Sequence, residues 1–431
     1  MIGFSGLSHL GIISSIALAS KGHDTVIAFS PDDALCRDLS HGRFPIYEKG
    51  LAELFRDHVG KIQFTSDPAA LKSCAVVHLS LDIATDDQNR GNLDRFQSLF
   101  ESTVDSLTAD TALVVMSQLQ PGTMRRLARR IQKMRAERNI NLYYQVETLI
   151  FGNAVERALN PERFIVGCEN PADDLPAPYK AILAVFGCPV FRMHYESAEL
   201  AKISINICLA ASLSVANTMA ELCESVDADW AEIIPALKTD RRIGPYSYLV
   251  PGLGIGGGNI ERDLAAVSDM AQSYGTDGGT VDAFLSNSRH RKSWPIEILE
   301  KYLPPKTDNP KVGIWGIAYK ADTASTKNSP AIELIRALAP RQIKAYDPQA
   351  KLDPATAPTC VQVSSARQAV EGVDALAIMT PWKEFSTVDP AEIKAAMSGR
   401  IVVDPFGVLD RPKCRAADLR QFVLGAPMET T

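Results

Sequence analysis

IGFSGLSHLGIISSIALASK, residues 2–21, joins a short apolar run to a glycine-bounded turn and then to a long apolar run. We predict a strand at Ile2–Ser5, a turn at Gly6–Gly11 and a helix at Gly11–Lys21. Backbone amides in such a turn, at the N-terminus of a helix, can hold the pyrophosphate of a dinucleotide. Ser8 replaces the middle glycine of the dinucleotide fingerprint, so strand–turn–helix is better supported than dinucleotide binding.

The second strand lacks the acid that binds the ribose hydroxyls in dinucleotide-binding folds. It runs into Phe29-Ser30, where a carboxylate is expected. Asp32 and Asp33 come later, and either can substitute only if the loop folds back.

Short apolar runs alternate with helical patterns in two regions of the chain. The predicted strands are Ile2–Ser5, Thr25–Phe29, Val76–Leu81, Ala112–Met116 and Leu142–Val146 in the first region, and Lys311–Trp315, Ile343–Tyr346, Ala375–Met379 and Ile401–Asp404 in the last. Such alternation predicts parallel, doubly wound sheets that are covered on both faces. The predicted fold class is α/β, with two doubly wound Rossmann-like domains joined by a long central helix and a helical segment.

The central helix is predicted at Glu196–Val226, a stretch without proline or glycine. Its apolar residues cover more than one face, so we expect it to be buried between domains or subunits. A linker is predicted at 304–310, which contains three prolines. The expected domains are 1–193, 194–300 and 301–431.

Composition excludes several functional classes. The net charge is −6 with both signs interspersed, so no nucleic-acid partner is expected. The eight cysteines are scattered without a Cys-x-x-Cys pair, which predicts neither a disulfide framework nor a metal site. We expect no stretch long enough to span a bilayer, no membrane partner and no cleaved leader. A reducing cytoplasm fits these features.

A second glycine-rich segment, residues 251–263, has five glycines in the seven residues 252–258. Each glycine loses backbone entropy and buries little, so we interpret the segment as a loop that closes on a ligand. Asn259 follows it, at the point where a nucleophile is expected. Asp263 lies four residues further, and its plain interpretation is the N-cap of a helix at Leu264–Tyr274.

Three other polar residues are candidates for chemistry. Lys202 and Asn206 share one face of the central helix, which favours a polar pocket over a lysine that merely reaches solvent. Glu147 follows the strand Leu142–Val146 and is either a surface carboxylate or a site residue at the carboxyl edge of the sheet.

Seven motifs in order resemble the UDP-glucose/GDP-mannose dehydrogenase family along nearly the whole chain. They are PIYEKGL (45–51), NPERFIVG (160–167), AELAK (198–202) with Asn206, DRRIGP (240–245), the glycine loop, GIAYKADT with SPA (316–323 and 329–331), and YDP (346–348). The resemblance implies an N-terminal NAD domain, a central dimerisation segment and a C-terminal nucleotide-sugar domain.

The resemblance also implies a chemistry and a set of site residues. The family oxidises the C6 alcohol of a nucleotide-linked hexose to a carboxylate with two NAD, through a cysteine thiohemiacetal and thioester, in polysaccharide biosynthesis. NAD is therefore expected, while Phe29-Ser30 leaves NADP open. A homodimer through the central helix is implied. The implied site residues are Lys202, Asn206, Asp263, Glu147 and Asn259 for catalysis, Gly6, Ser8, Leu10, Gly11, Ser30, Ser117 and Gln118 for the cofactor, and Tyr248, Leu249, Gly254, Gly256, Gly257 and Lys320 for the substrate.

The departures from the family pattern cluster at the cofactor and catalytic positions. Asn259 replaces the cysteine. The other departures are Gln118 for a threonine, Phe151 for a glutamate, Leu81-Asp82-Ile83-Ala84 for Val-Gly-Thr-Pro, and Phe406 for an arginine.

Because an amide is no nucleophile, the thioester route is closed. We expect a nucleotide-sugar oxidoreductase limited to hydride transfer. The alternatives are a catalytically degenerate nucleotide-sugar binder, a non-standard reaction such as epimerisation, and a full dehydrogenase that works through a gem-diol.

Overall fold

Two mainly parallel sheets organise the chain, one in each of two units, Met1–Ile205 and Asn206–Thr431. The computed structural model describes residues 1–22, 25–84, 91–303, 310–355 and 357–427. The predicted linker therefore lies outside the described residues, except for Pro310.

The first unit contains an eight-stranded sheet in the order β3-β2-β1-β4-β5-β6-β7-β8. Its strands are β1 Ile2–Ser5, β2 Val26–Phe29, β3 Ile62–Thr65, β4 Val76–Leu79, β5 Ala112–Val115, β6 Asn141–Gln145, β7 Phe164–Cys168 and β8 Val190–His194. Its helices are α1 His9–Ser20, α2 Asp33–Ser40, α3 Leu51–His58, α4 Asp94–Ser106, α5 Thr123–Arg135, α6 Ala154–Leu159 and α7 Ala177–Ala184. The first six strands have the order of a dinucleotide-binding fold, and β7 pairs with β6 in the antiparallel sense.

The second unit contains a six-stranded parallel sheet in the order β11-β10-β9-β12-β13-β14, which repeats the same topology. Its strands are β9 Val312–Trp315, β10 Ile343–Tyr346, β11 Cys360–Gln362, β12 Ala375–Ile378, β13 Ile401–Val403 and β14 Arg420–Phe422. In chain order, four helices follow the first sheet and precede the second: α8 Tyr195–Ser225, α9 Trp230–Thr239, α10 Asn259–Tyr274 and α11 Gly279–Tyr302. Helix α8 crosses the boundary between the two units. The later helices are α12 Pro330–Ala337, α13 Ala366–Val370, α14 Pro390–Ala396 and α15 Arg411–Ala416. The predicted α/β class with two Rossmann-like sheets and a long central helix is confirmed.

Buried parallel strands explain why the fold follows from the sequence. Strands β1, β2, β4 and β5 are buried at every residue, as expected for a sheet covered on both faces. Helix α1 is apolar nearly all round and is buried along most of its length. Because the faces are closed, the carboxyl edge of the sheet is where side chains can meet a ligand.

Helix α8 corrects one expectation. It is long and apolar enough to cross a membrane by length and composition, so the statement that no such stretch exists is wrong. A core helix passes the same test, and α8 is tied into the protein by buried acids. Glu199 accepts the Gly122 and Met124 amides at 2.7 and 2.8 Å. Further along the helix, Glu224 accepts hydrogen bonds from Arg291, Trp294 and the Gly425 amide.

Candidate functional site

The turn between β1 and α1 is built by a close contact between two glycines. A β-carbon at Gly11 would overlap the carbonyl oxygen of Gly6, so no larger residue fits there. The Gly6 amide donates to the carbonyl of Phe29 at 2.9 Å, which joins the turn to the end of β2. The helix therefore begins directly at the carboxyl edge of the sheet, where a dinucleotide pyrophosphate can be bound.

Asp82 lies at this same helix N-terminus. Its carboxylate accepts the Leu10 amide at 3.0 Å, and its own amide donates to the Ser8 hydroxyl at 2.8 Å. Ser8 in turn donates to the carbonyl of Ser80 at 3.3 Å. The Gly6–Gly11 turn has the shape for a dinucleotide, but the Leu10 amide that follows the turn's first residues is bound by the protein's own carboxylate.

The end of β2 supplies no carboxylate in the expected place. Asp32 is the N-cap of α2 and accepts the Leu35 amide at 3.0 Å, while Asp33 pairs with Arg37. The loop therefore does not fold back to replace the missing acid. Ser30 is buried, and its hydroxyl accepts the Asp32 amide at 3.3 Å.

Ser117 and Gln118 follow β5, which pairs with β4 in parallel. Ser117 is fully buried and accepts the Leu81 amide at 3.2 Å, so it positions the segment that carries Asp82. Gln118 is half-buried at the next position.

His9 and Glu48 form a pair whose contact sequence reasoning missed. His9 Nε2 lies 2.7 Å from Glu48 Oε1, and Glu48 also accepts the Gly152 and Ala154 amides at 2.9 and 3.2 Å. Burial opposes ionisation of Glu48, but these donors outweigh burial and hold its pKa below the usual value. The partners of Glu48 lie 39 to 106 residues away, so no local pattern predicts these contacts. Only the PIYEKGL motif, which contains Glu48, marks this residue in the sequence.

Glu147 lies two residues after the end of β6, and its carboxylate accepts the Leu149 amide. Burial raises the pKa of Glu147 to about 7, although Lys202 and His9 lower it, and Asp82 raises it further. The structure therefore brings Glu147, half-buried Lys202 and Asp82 into one electrostatic neighbourhood of the first unit. Phe151, in the following turn, packs on His9 with ring centroids 4.3 Å apart.

Asn206 and Asp263 meet in the second unit. Both are buried, and Asn206 Nδ2 donates to Asp263 Oδ2 at 2.5 Å. The interpretation of Asp263 as an N-cap is wrong, because α10 begins at Asn259 and places Asp263 one turn inside it. Asn259 itself is exposed as the first residue of that helix.

The glycine loop packs against the protein rather than standing open. A β-carbon at Gly257 would lie 2.9 Å from the Tyr319 ring, and one at Gly254 would overlap the Ser288 carbonyl. The Gly257 carbonyl accepts from Asn328 Nδ2 at 2.8 Å, and the Ile255 amide donates to the Ser288 hydroxyl at 2.8 Å. These glycines are therefore required by protein contacts, independently of any ligand.

The remaining substrate candidates lie in different surroundings of the second unit. Gly256 faces Tyr319, and Lys320 Nζ lies 5.7 Å from the centroid of that ring. Leu249 is buried and its carbonyl accepts the Trp230 indole at 2.7 Å, whereas Tyr248 is half exposed. Lys320 and the glycine loop are thus brought together around Tyr319, and Leu249 is held by α9. Within the described ranges, no cluster of three or more His, Cys, Asp or Glu side chains is arranged to hold a metal ion.

Comparison with protein families covers both units. The NAD binding domain of the UDP-glucose/GDP-mannose dehydrogenase family matches residues 1–185, its central domain matches 196–288, and its UDP binding domain matches 313–411. The chain belongs to this family. Its nucleotide-sugar dehydrogenase character thus agrees with the resemblance carried by the seven motifs.

Individual family members extend over the whole chain. The UDP-glucose 6-dehydrogenase TuaD of Bacillus subtilis is 26% identical over 98% of this chain and 92% of its own length. A UDP-glucose 6-dehydrogenase of Rickettsia bellii is 25% identical over 99% of each chain. A UDP-glucose dehydrogenase structure from Pyrobaculum islandicum is similar in fold, with a TM-score of 0.85 at 23% identity over 99% of this chain and 97% of that one.

The glycine loop gives a test by matched substitutions in this dehydrogenase-family chain. Gly254→Ala introduces a side chain at φ +69° against the Ser288 carbonyl, whereas Gly252→Ala meets nothing within 4 Å. We expect Gly254→Ala to lower the free energy of unfolding by about 2–4 kcal/mol and Gly252→Ala by less than about 1 kcal/mol. Urea unfolding measures both, and equal losses would contradict the packing described for the loop.

Proposed function

We propose that this chain interconverts an alcohol and a carbonyl group on a nucleotide-linked sugar by a single NAD-dependent hydride transfer, without a thioester. The observation that carries the proposal is the pKa of Glu147, which burial raises to about 7 although the charge of Lys202 lowers it. Glu147 lies in the unit that contains the dinucleotide-type turn. A general base is most effective when its pKa lies near the working pH. A neighbouring lysine can stabilise the alkoxide that forms as the proton leaves.

The residues of the Gly6–Gly11 turn fit a dinucleotide once the Asp82 carboxylate leaves the Leu10 amide. Gly6, Ser8, Leu10 and Gly11 would hold it, and NAD supplies a hydride acceptor when bound. With the hydroxyl proton taken by Glu147 and the hydride on the same carbon passed to the bound NAD⁺, the alcohol would become a carbonyl with no water consumed. NAD rather than NADP is proposed because residues 1–185 match the NAD binding domain of the family.

The proposal stops at two electrons because a reactive thiol is lacking where the family uses one. Asn259 occupies the position that the resemblance assigns to the cysteine. Burial raises the pKa of Cys36, Cys74, Cys168, Cys188, Cys223, Cys360 and Cys414, which disfavours their thiolates. Cys208 is exposed on α8, two residues from Asn206 and so on a different face.

A second candidate is a nucleotide-sugar binder that has lost hydride transfer or carries out another reaction such as epimerisation. The absent acid after β2 and the Asp82 contact with Leu10 favour it, because both weaken the expected dinucleotide site. Oxidation to a carboxylate through a gem-diol is a third possibility, and product analysis separates it from the other two.

A homodimer through α8 is part of the proposal. Val215, Met219 and Leu222 lie along one face of α8 and are 57%, 40% and 51% exposed in the single chain. An apolar stripe of this kind is typical of a contact surface. We also place the protein in the cytoplasm, where its eight free cysteines would remain reduced.

Product stoichiometry tests the proposed reaction. The protein is incubated with NAD⁺ and a panel of UDP- and GDP-linked sugars, and NADH is measured by absorbance while mass spectrometry identifies products. We expect one NADH for each product that is lighter by two hydrogens. Two NADH with a carboxylate would contradict the two-electron limit, and turnover of no sugar would favour the binder. Asn259→Cys is the matched variant, and we expect it alone not to restore acid formation.

The pH dependence of Glu147→Gln tests the proposed base. We expect alcohol oxidation by the natural chain to rise through pH about 7 as Glu147 deprotonates. The variant should be slower by about 10²–10⁴-fold and should lack this rise. The exposed Glu53→Gln on α3 should keep the natural profile.

The same variant has a second readout in stability. A carboxyl whose folded pKa is raised favours the folded state while protonated, and that contribution is lost as pH rises from about 4.5 through about 7. The loss should be smaller in Glu147→Gln than in the natural chain, as measured by the thermal midpoint at each pH. Identical pH dependence of rate and stability in the two proteins would rule out the assigned role.

Sedimentation velocity tests the dimer. We expect the natural chain to sediment at twice its 46.9 kDa mass and Val215→Glu to sediment as one chain. Val361→Glu is the matched control, because Val361 is equally exposed but lies on β11. A natural chain that sediments as a monomer would refute the proposed dimer.

A further inference from the structure

We propose that Asp82 is a built-in competitor for the dinucleotide pyrophosphate, which must displace its carboxylate from the Leu10 amide at the N-terminus of α1. The inference rests on the proposed use of a dinucleotide at the Gly6–Gly11 turn. It concerns what sets the affinity of that site, not which sugar is oxidised.

The first step is the demand for an anion at this helix end. The first amides of a helix have no partner within the helix, and the helix dipole favours negative charge beside them. The Leu10 amide is one of these groups, and Asp82 Oδ2 accepts its hydrogen bond at 3.0 Å. The carboxylate therefore provides the charge and the acceptor atom that a phosphate would provide.

The second step is that the backbone of Asp82 is held in place. The Asp82 amide donates to the Ser8 hydroxyl at 2.8 Å, and the preceding Leu81 amide donates to the Ser117 hydroxyl at 3.2 Å. Ser8 and Asp82 thus form what we call the clasp. The Asp82 carboxylate accepts the Leu10 amide, and the Ser8 hydroxyl accepts the Asp82 amide. Ser8 and Asp82, which both depart from the family pattern, are therefore joined by a hydrogen bond.

The third step is the electrostatic cost of adding a dinucleotide. Asp82 is exposed, so its carboxylate can be hydrated by solvent when it leaves the Leu10 amide. A pyrophosphate that approached the occupied amide would bring negative charge against negative charge. Rotation of the Asp82 side chain frees the amide while Ser8 keeps the backbone, so the competitor can withdraw without unfolding the turn.

Titration calorimetry with NAD⁺, and separately with inorganic pyrophosphate, tests the inference on the full chain. Asp82→Asn removes the charge but keeps a good cap, so it should fold normally. We expect it to bind NAD⁺ about tenfold more tightly than the natural chain. Asp82→Ala should gain at least as much affinity for NAD⁺. Added salt should narrow the difference between Asp82→Asn and the natural chain.

The matched control is Asp389→Asn, because Asp389 is an exposed cap in the second unit that accepts the Ala391 amide at 3.0 Å. It should leave NAD⁺ affinity unchanged. Unchanged or weaker NAD⁺ binding by Asp82→Asn would overturn the inference, since Asp82 would then be neutral or a contact of the ligand. Failure of every variant to bind NAD⁺ would overturn it together with the proposed function. A gain in Asp82→Asn without turnover of any sugar would support it while the proposed function fails.

Discussion

The contact between Gly11 and the carbonyl of Gly6 fixes where α1 begins relative to β1. Because no side chain fits at Gly11, the helix starts against the carboxyl edge of the sheet. Strand β4 pairs with β1 in parallel from Val76 opposite Ile2, so the chain that leaves β4 arrives at the same edge. The meeting of the α1 amides with Asp82 follows from these two facts. The parallel pairing of β5 with β4 and with β6 brings Glu147 to the same edge.

Two glutamates of the first unit show how the same side chain is given opposite properties. Glu48 and Glu147 both pay for burial, but Glu48 accepts two backbone amides and faces His9, so its pKa falls. Burial and the charge of Asp82 raise the pKa of Glu147, and the charge of Lys202 offsets them only in part, so this pKa is about 7. The first is therefore suited to hold the turn at Gly152 in place, and the second to exchange a proton near neutral pH.

The sequence predicts the buried strands well and the peripheral ones poorly. Strands β1 and β10 have the predicted bounds, because each is a short apolar run before a turn. The edge strands β3, β8 and β11 were not predicted, since they are partly exposed and carry polar residues without a clear apolar pattern. Strand β14, at the other edge of the second sheet, was missed as well, and β7 was missed although it is buried at every residue. The start of α10 was misplaced because glycines before Asn259 suggested that the loop continued.

Long-range contacts set the limit for predicting the candidate site. Glu147 and Lys202 could be singled out because each follows a local pattern, the end of a strand or the face of a helix. The clasp could not, because Ser8 and Asp82 are 74 residues apart and only the sheet order brings them together.

The clasp also bears on how ligands of this protein can be found. A ligand raises the melting temperature in proportion to the logarithm of its concentration over its dissociation constant. A helix end that already holds an anion has less to gain from a second one, so a dinucleotide that displaces Asp82 is expected to have a larger dissociation constant than it would have without this carboxylate. Thermal-shift screening will consequently need dinucleotide concentrations well above that dissociation constant before the melting temperature rises measurably.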